Sequence, residues 1–282
     1  MQRFVIVNAD DFGLCRGVNT AVEQAHKDGI LTSATLMANM PAAEEAVEIA
    51  KRTPSLGVGV HLNLTNGNPL SNDKSVDCLK NASGEFAYSP YKLALKSLLS
   101  KDIRKAIDTE LAAQIKWVID SGIKPTHLDS HKHVHAFPPI FSIVCELARQ
   151  FGISIIRWTF EPAKIGLGFP HVTGEAKRLS AAIRTMARIN RRQNSEFFVN
   201  NVFLGIAHTG RIDHNFFRAV TLNPLGPVVE VMTHPGYLEG LDRAKTRLVD
   251  QRKFEAETLC AERTRRYFET AGVKLVHYGQ IE

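Results

Sequence analysis

Two adjacent carboxylates, Asp10 and Asp11, close the apolar run Phe4-Val5-Ile6-Val7, and Gly13 follows at once. His61 ends a second apolar run, GVGVHL; Asp129, His131, His133 and His135 crowd into HLDSHKHVH; His234 ends VVEVMTH. Mixed imidazole and carboxylate donors suit zinc and its neighbours, and a catalytic site of that kind keeps three protein ligands and an open position for water. On such an ion the pKa of water falls from about 15.7 to roughly 7. One aspartate would bind the ion, its neighbour would take the proton from the water, and a histidine from another strand would protonate the leaving group. That is metal-assisted hydrolysis. The tripeptide Asp11-Phe12-Gly13 also spells a kinase metal motif, but nothing upstream of it has room for a Gly-rich loop, a strand lysine and a catalytic loop.

Each residue also has a plainer reading. Aspartates after a strand cap helices, and His61 alone reads as a satisfied, half-buried histidine. His26, His127, His171, His208, His214 and His277 lack charged company and are read as structural. Three imidazoles at alternate positions in HKHVH would share one face of an extended segment, and such crowding asks for a metal or carboxylate to organise it.

The elements that must hold these groups alternate. RFVIVNA reads as a strand, GVNTAVEQAHKDG as a helix closed by Gly29, TSATLMAN as a strand, AAEEAVEIAKR as a helix and LGVGVHL as a third strand. A polar loop covers 66–90, long enough to expect a function for it. A helix pair follows, then the strand THLDS, a helix from Pro139 to about Phe151, the strand ISIIRW, the strand PVVEVMTH, one long helix over 243–272 and a last strand, VKLVHY. Repeated strand-then-helix order predicts a parallel α/β architecture, a distorted or incomplete (β/α) barrel. An open dinucleotide-binding sheet would need glycines where the two aspartates stand. In a barrel, carboxyl ends of strands converge on one mouth. Four separate strands then deliver carboxylates and imidazoles to one place.

Composition sets bounds. With 44% hydrophobic and 23% charged residues, the 282-residue chain is ordinary globular material. Cys15, Cys78, Cys145 and Cys260 form neither a disulfide framework nor a zinc knuckle, so a reducing, cytoplasmic setting is expected. The net charge of +6 concentrates between Ala176 and Gln193, where Lys177, Arg178, Arg184, Arg188, Arg191 and Arg192 stand without an acid. The balanced remainder argues against nucleic-acid binding.

IVNADDFG, GVGVHLNLT, PTHLDSHKHVHAFPPIF and MTHPGY resemble the landmark motifs of the YdjC family, in this order and over most of the chain. The best-known members of that family are chitooligosaccharide deacetylases, which remove acetyl groups from N-acetylglucosamine units. The resemblance implies a deacetylase-type distorted barrel and one divalent cation, Mg2+ or Zn2+, held by Asp11, His61 and His131. It implies Asp10 as general base and His234 as general acid, with His133, His135 and Asp129 supporting the site or touching substrate. It makes 1–282 a single domain carrying an inserted basic helical segment at about 161–222. That segment departs from the compact chitooligosaccharide enzymes; longer relatives include a branch associated with hopanoid lipids, so an N-acetylated sugar or a glycolipid is the expected partner. Read as a helix, 176–193 puts Leu179, Ile183, Met186 and Ile189 or Asn190 on one stripe and Arg184, Arg188, Arg191 and Arg192 on another. A helix packed on the barrel and one lying in a membrane interface would both look so. A homodimer stays open. The rivals are a non-catalytic metal-dependent sugar- or lipid-binding protein, for which Asp10 would be superfluous, and an amidohydrolase-type barrel, whose His-x-His pair would end the first strand instead.

Overall fold

The computed structural model describes residues 2–281. Its elements run β1 (Phe4–Phe12), α1 (Arg16–Asp28), β2 (Ser33–Leu36), α2 (Ala43–Arg52), β3 (Gly57–Leu62), α3 (Pro90–Leu99), α4 (Lys101–Asp120), β4 (Leu128–Ser130), α5 (Pro138–Gln150), α6 (Gly174–Gln193), β5 (Val202–Leu204), α7 (His214–Leu222), β6 (Val228–Thr233), α8 (Asp250–Cys260), α9 (Glu262–Ala271) and β7 (Lys274–Leu275). The strands are parallel in the order β4-β3-β2-β1-β6-β5, and β7 pairs with the foot of β1. The sheet curls, and the irregular segment 155–160 spans the gap between its two ends. Leu128 N–H donates to the Ile155 carbonyl and Arg157 N–H to that of Leu128, while Phe203 N–H of β5 donates to the Phe160 carbonyl. The Asn200 side chain accepts from Trp158 N–H and donates to its carbonyl, in place of a second ladder. The result is a distorted (β/α) barrel.

Buried apolar side chains of the strands and the facing helices form one large core. Helix α4 illustrates why these stretches are helical: Ile103, Ala106, Ile107, Leu111, Ile115 and Val118 recur at spacings of three and four and are all buried. Ser100 caps it by accepting from Ile103 N–H at 3.3 Å. Two polar residues on its inner face organise the long loop leaving β3. Glu110 accepts from Leu70 and Ser71 N–H, and Gln114 exchanges hydrogen bonds with the Asn63 backbone.

Three expectations are corrected here. Within 161–222, Val202–Leu204 is a strand paired with β6 and His214–Leu222 a helix, so part of the expected insert belongs to the barrel. The long helix over 243–272 is two helices, α8 and α9, broken at Ala261. The carbonyls of Thr258 and Leu259 explain the break, since they accept from Thr264 Oγ1 and Ile30 N–H instead of continuing the ladder. The HKHVH segment is not extended: His131–Ala136 is a tight, kinked turn in which Lys132 and His133 are left-handed, each with φ of 53°.

In α6 the buried stripe is Ser180, Ile183, Ala187 and Asn190, packed against the barrel, and Leu179 and Ile189 are exposed. Arg184 donates to the Glu161 carbonyl, Arg188 lies over the Phe160 ring and Arg191 over the Trp158 ring. No helix among the described residues is long and apolar enough to cross a membrane.

Close backbone approach fixes the loop after β6. Gly17 N–H donates to the Glu239 carbonyl, Tyr237 N–H donates to the Gly17 carbonyl, and a methyl group on Gly17 would overlap the Tyr237 carbonyl. Gly17→Ala is therefore expected to destabilise the protein by about 1–3 kcal/mol despite alanine's helix preference, read as a lower thermal midpoint.

Candidate active site

Successive side chains of a strand point to opposite faces, so Asp10 and Asp11 ought to diverge. They do not. The pairing of β1 with β2 slips between Ala9 and Phe12, and Asp11 takes a left-handed conformation with φ of 67°. Aspartate tolerates that region better than most residues, and the irregularity re-aims the second carboxylate into the mouth beside the first.

Asp11 Oδ1 lies 2.9 Å from His131 Nδ1 and 3.4 Å from His61 Nε2, and the three side chains can each offer a ligand atom within 4.8 Å of one another. Donors about 2.0–2.2 Å from one ion would sit at such separations. His61 Nδ1 is held by Asp129 Oδ1 at 2.7 Å and Thr35 Oγ1 at 3.1 Å, which leaves Nε2 facing Asp11. A carboxylate behind a ligating imidazole is the usual support of a metal-bound histidine. Burial works against a charged His61, but Asp129 and Asp10 outweigh it and push the ring up to about 10. The donor set thus fits a divalent cation in its chemistry and its spacing.

Asp10 is buried beside this trio. Burial opposes its charge, yet the Arg157 guanidinium holds its carboxyl well below the usual carboxylate range. Arg157 Nη2 donates to Oδ1 at 2.7 Å and Nη1 to Oδ2 at 2.9 Å; Asn8 Nδ2 adds a third bond to Oδ1 at 2.9 Å. The same guanidinium reaches Asp129 Oδ2 at 2.7 Å and Glu230 Oε1 at 2.8 Å. Burial raises Glu230 to about 7, and its other oxygen accepts from Tyr278. On the opposite side, Arg252 Nη2 donates to Asp11 Oδ2 at 2.6 Å. Burial alone would raise Asp11, but Arg252 and His131 hold it well below the usual range.

The remaining histidines differ in placement. The backbone N–H of His234 donates to Glu255 Oε2 at 2.7 Å, while its Nδ1 has no partner among the described residues. Burial drives its ring down to about 4, against the pull of Asp11 and Asp10. His133 stands edge-on to Phe203, with Nδ1 unpartnered. His135 is locked between Ser130 Oγ and the Arg157 carbonyl, and burial with the nearby Arg157 charge lowers it to about 3. Of the three, only His131 joins the trio at Asp11; the left-handed turn sends the other two elsewhere. His127, read as structural, packs against Tyr278 and Gly59.

A cleft of about 660 Å³ opens beside His131 and Arg252, with Asn39, Asn66, Asn68, Glu44 and Asp242 offering polar groups and Trp117 an aromatic face. Lys245 and Glu85 pair between the loops that border it.

Arg157, Arg252, Glu230 and Glu255 were not singled out from the sequence. A signal existed for two of them: Arg157 in ISIIRW and Glu230 in PVVEVMTH are single charges of opposite sign inside apolar runs, where burial demands a partner.

A YdjC-like protein family model matches residues 4–270. A carbohydrate deacetylase of Brevibacillus brevis is 36% identical over 278 residues, 98% of this chain and 99% of the relative. A chitooligosaccharide deacetylase of Salmonella paratyphi B is 41% identical over 156 residues, 55% of this chain and 59% of its own. The chain belongs to the YdjC family. Among solved structures, a candidate cellobiose-phosphate cleavage protein of Enterococcus faecalis V583 superposes with a TM-score of 0.76, at 23% identity and over 99% of this chain and 98% of its own, which establishes the shared fold.

Arg157→Met would leave Asp10, Asp129 and Glu230 without their cation. Removing one partner of a buried pair costs about 3–5 kcal/mol, so urea unfolding should register a loss of that size. Arg157→Lys should recover little of it, because an ammonium cannot reproduce the planar fork.

Proposed function

We propose that this protein is a metal-dependent carbohydrate deacetylase that hydrolyses the N-acetyl amide of an amino sugar, releasing acetate and the free amine. The observation that carries this reading is the Asp11–His61–His131 trio set against Asp10, with His131 of the trio lining a sugar-sized cleft. Relatives aligned over nearly the whole chain are carbohydrate deacetylases, which supports the same substrate class.

Asp11, His61 and His131 would hold the divalent cation, which supplies a water of lowered pKa and polarises the acetyl carbonyl. Asp10 would take a proton from the attacking water at Oδ2, which carries one donor and keeps a lone pair, whereas Oδ1 carries two. Its grip by Arg157 keeps the carboxylate ionised and aimed. His234, neutral at rest, would receive that proton from Asp10 and pass it to the departing nitrogen as the C–N bond breaks, which returns both groups to their starting states. Glu255 fixes the backbone of His234 and so the approach of its ring. Asn39, Asn66 and Asn68 have the chemistry to bind sugar hydroxyls, and Trp117 the apolar face of the ring. The substrate is an N-acetylglucosamine conjugate, either a chitooligosaccharide or a glycolipid.

Acetate release from soluble and lipid-linked N-acetylglucosamine conjugates tests the reading; it should occur and stop with a chelator. No release from any conjugate, with stoichiometric metal and retained sugar binding, would favour a non-catalytic binding protein. Elemental analysis should find one divalent metal per chain, lost in His61→Ala and His131→Ala. Asp10→Asn should keep the metal yet lose about 10²–10⁴-fold in turnover; near-normal hydrolysis would make Asp10 structural.

A further inference from the structure

Most large apolar side chains of this protein are covered, but one helix leaves a row of them in water. On α3, Tyr91 is 60% exposed, Leu95 57%, Leu98 62% and Leu99 79%. At 3.6 residues per turn these four fall within an arc of about 100°. Leu93, Ala94 and Ser97 fall on the opposite side and are buried against the barrel. The exposed row is thus a second apolar face of a helix whose first face already serves the fold. Contiguous exposed apolar surface of this kind marks an interaction site.

Charge at its edge indicates what covers it. Lys92 and Lys96 lie just beside the apolar arc, each ammonium over the Tyr88 ring. Residues 90–105 hold Lys92, Lys96, Lys101, Arg104 and Lys105 against Asp102 alone. A second copy of the same face would set these cations against each other. An apolar ridge with a cationic flank matches a bilayer with anionic headgroups, into which the leucines and the tyrosine dip while the lysines meet the phosphates.

Position gives the face a use. Helix α3 lies in the connection that leaves the carboxyl end of β3, where His61 sits, and it packs against the His131–Ala136 turn. Tyr91 meets Phe137, the residue after that turn, edge-on at 5.7 Å. A protein held by this face keeps its barrel mouth near the surface.

We propose that the exposed face of α3 docks the protein reversibly on anionic membranes, with the active-site mouth beside the bilayer. The proposal stands apart from the catalytic reading, since it concerns binding alone. Vesicle flotation tests it with the full chain. Wild type should float with phosphatidylglycerol-containing vesicles at low salt, not with pure phosphatidylcholine, and should be released by high salt. The triple variant Leu95→Ser, Leu98→Ser, Leu99→Ser alters only exposed side chains and should lose at least tenfold in vesicle partitioning, with circular dichroism and thermal midpoint close to wild type. Replacing Arg184, Arg188, Arg191 and Arg192 of α6 with Gln should leave flotation largely intact. Wild type that ignores anionic vesicles overturns the proposal. So does a dimer in light scattering that the triple variant converts to monomer, because a second copy would then own the face. Flotation lost in the α6 variant but kept in the α3 variant would overturn it as well.

Discussion

The buried guanidinium of Arg157 is the constraint on which the site depends. It enters from the irregular segment that closes the barrel and meets carboxylates from β1, β4 and β6 at once. A cation so buried is stable only if fully paired, and the pairing is reciprocal. Asp10 is held ionised, and Asp129 is held where it can orient His61. Glu230, raised to about 7, shares its second oxygen with Tyr278 and anchors the whole from below. Closure of the barrel and alignment of the proposed base are therefore one interaction.

A charge count extends the point. Asp10, Asp11 and Asp129 face two arginines, Arg157 and Arg252, so the mouth keeps an excess of negative charge with His61 and His131 beside it. Protonation of His61 meets part of that excess in the protein alone. A divalent cation would meet it with better geometry, since Asp11, His61 and His131 all turn a donor toward one another. The bulge that re-aims Asp11 makes this possible, and its cost is shared among the Arg252 bond, the His131 bond and the Leu14 N–H that donates to the Asp11 carbonyl.

Much of this was legible in the chain. Short apolar runs ending in Asp10-Asp11, His61, Asp129 and His234 named the strands and the mouth, because parallel strands of a barrel must present their carboxyl ends together. The 3.6-residue period of α4 was equally plain, and so was half of the α6 stripe: Ile183 and Asn190 are buried as expected, while Ser180 and Ala187 take the places expected for Leu179 and Met186. Features set by distant contacts were not legible. Val202–Leu204 is too short to announce a strand and exists through its pairing with β6. The left-handed residues of the HKHVH turn carry no glycine to betray them. The break between α8 and α9 depends on Ile30, over two hundred residues away, taking a carbonyl from the helix.

If Arg157 binds Asp10 and Asp129 into one unit, their losses cannot be independent. A double-mutant cycle on deacetylation with Asp10→Asn, Asp129→Asn and the pair measures this directly. The double variant should be hardly slower than the worse single variant, with a coupling of about 1–3 kcal/mol. Effects that simply add would contradict the shared guanidinium as the basis of the site.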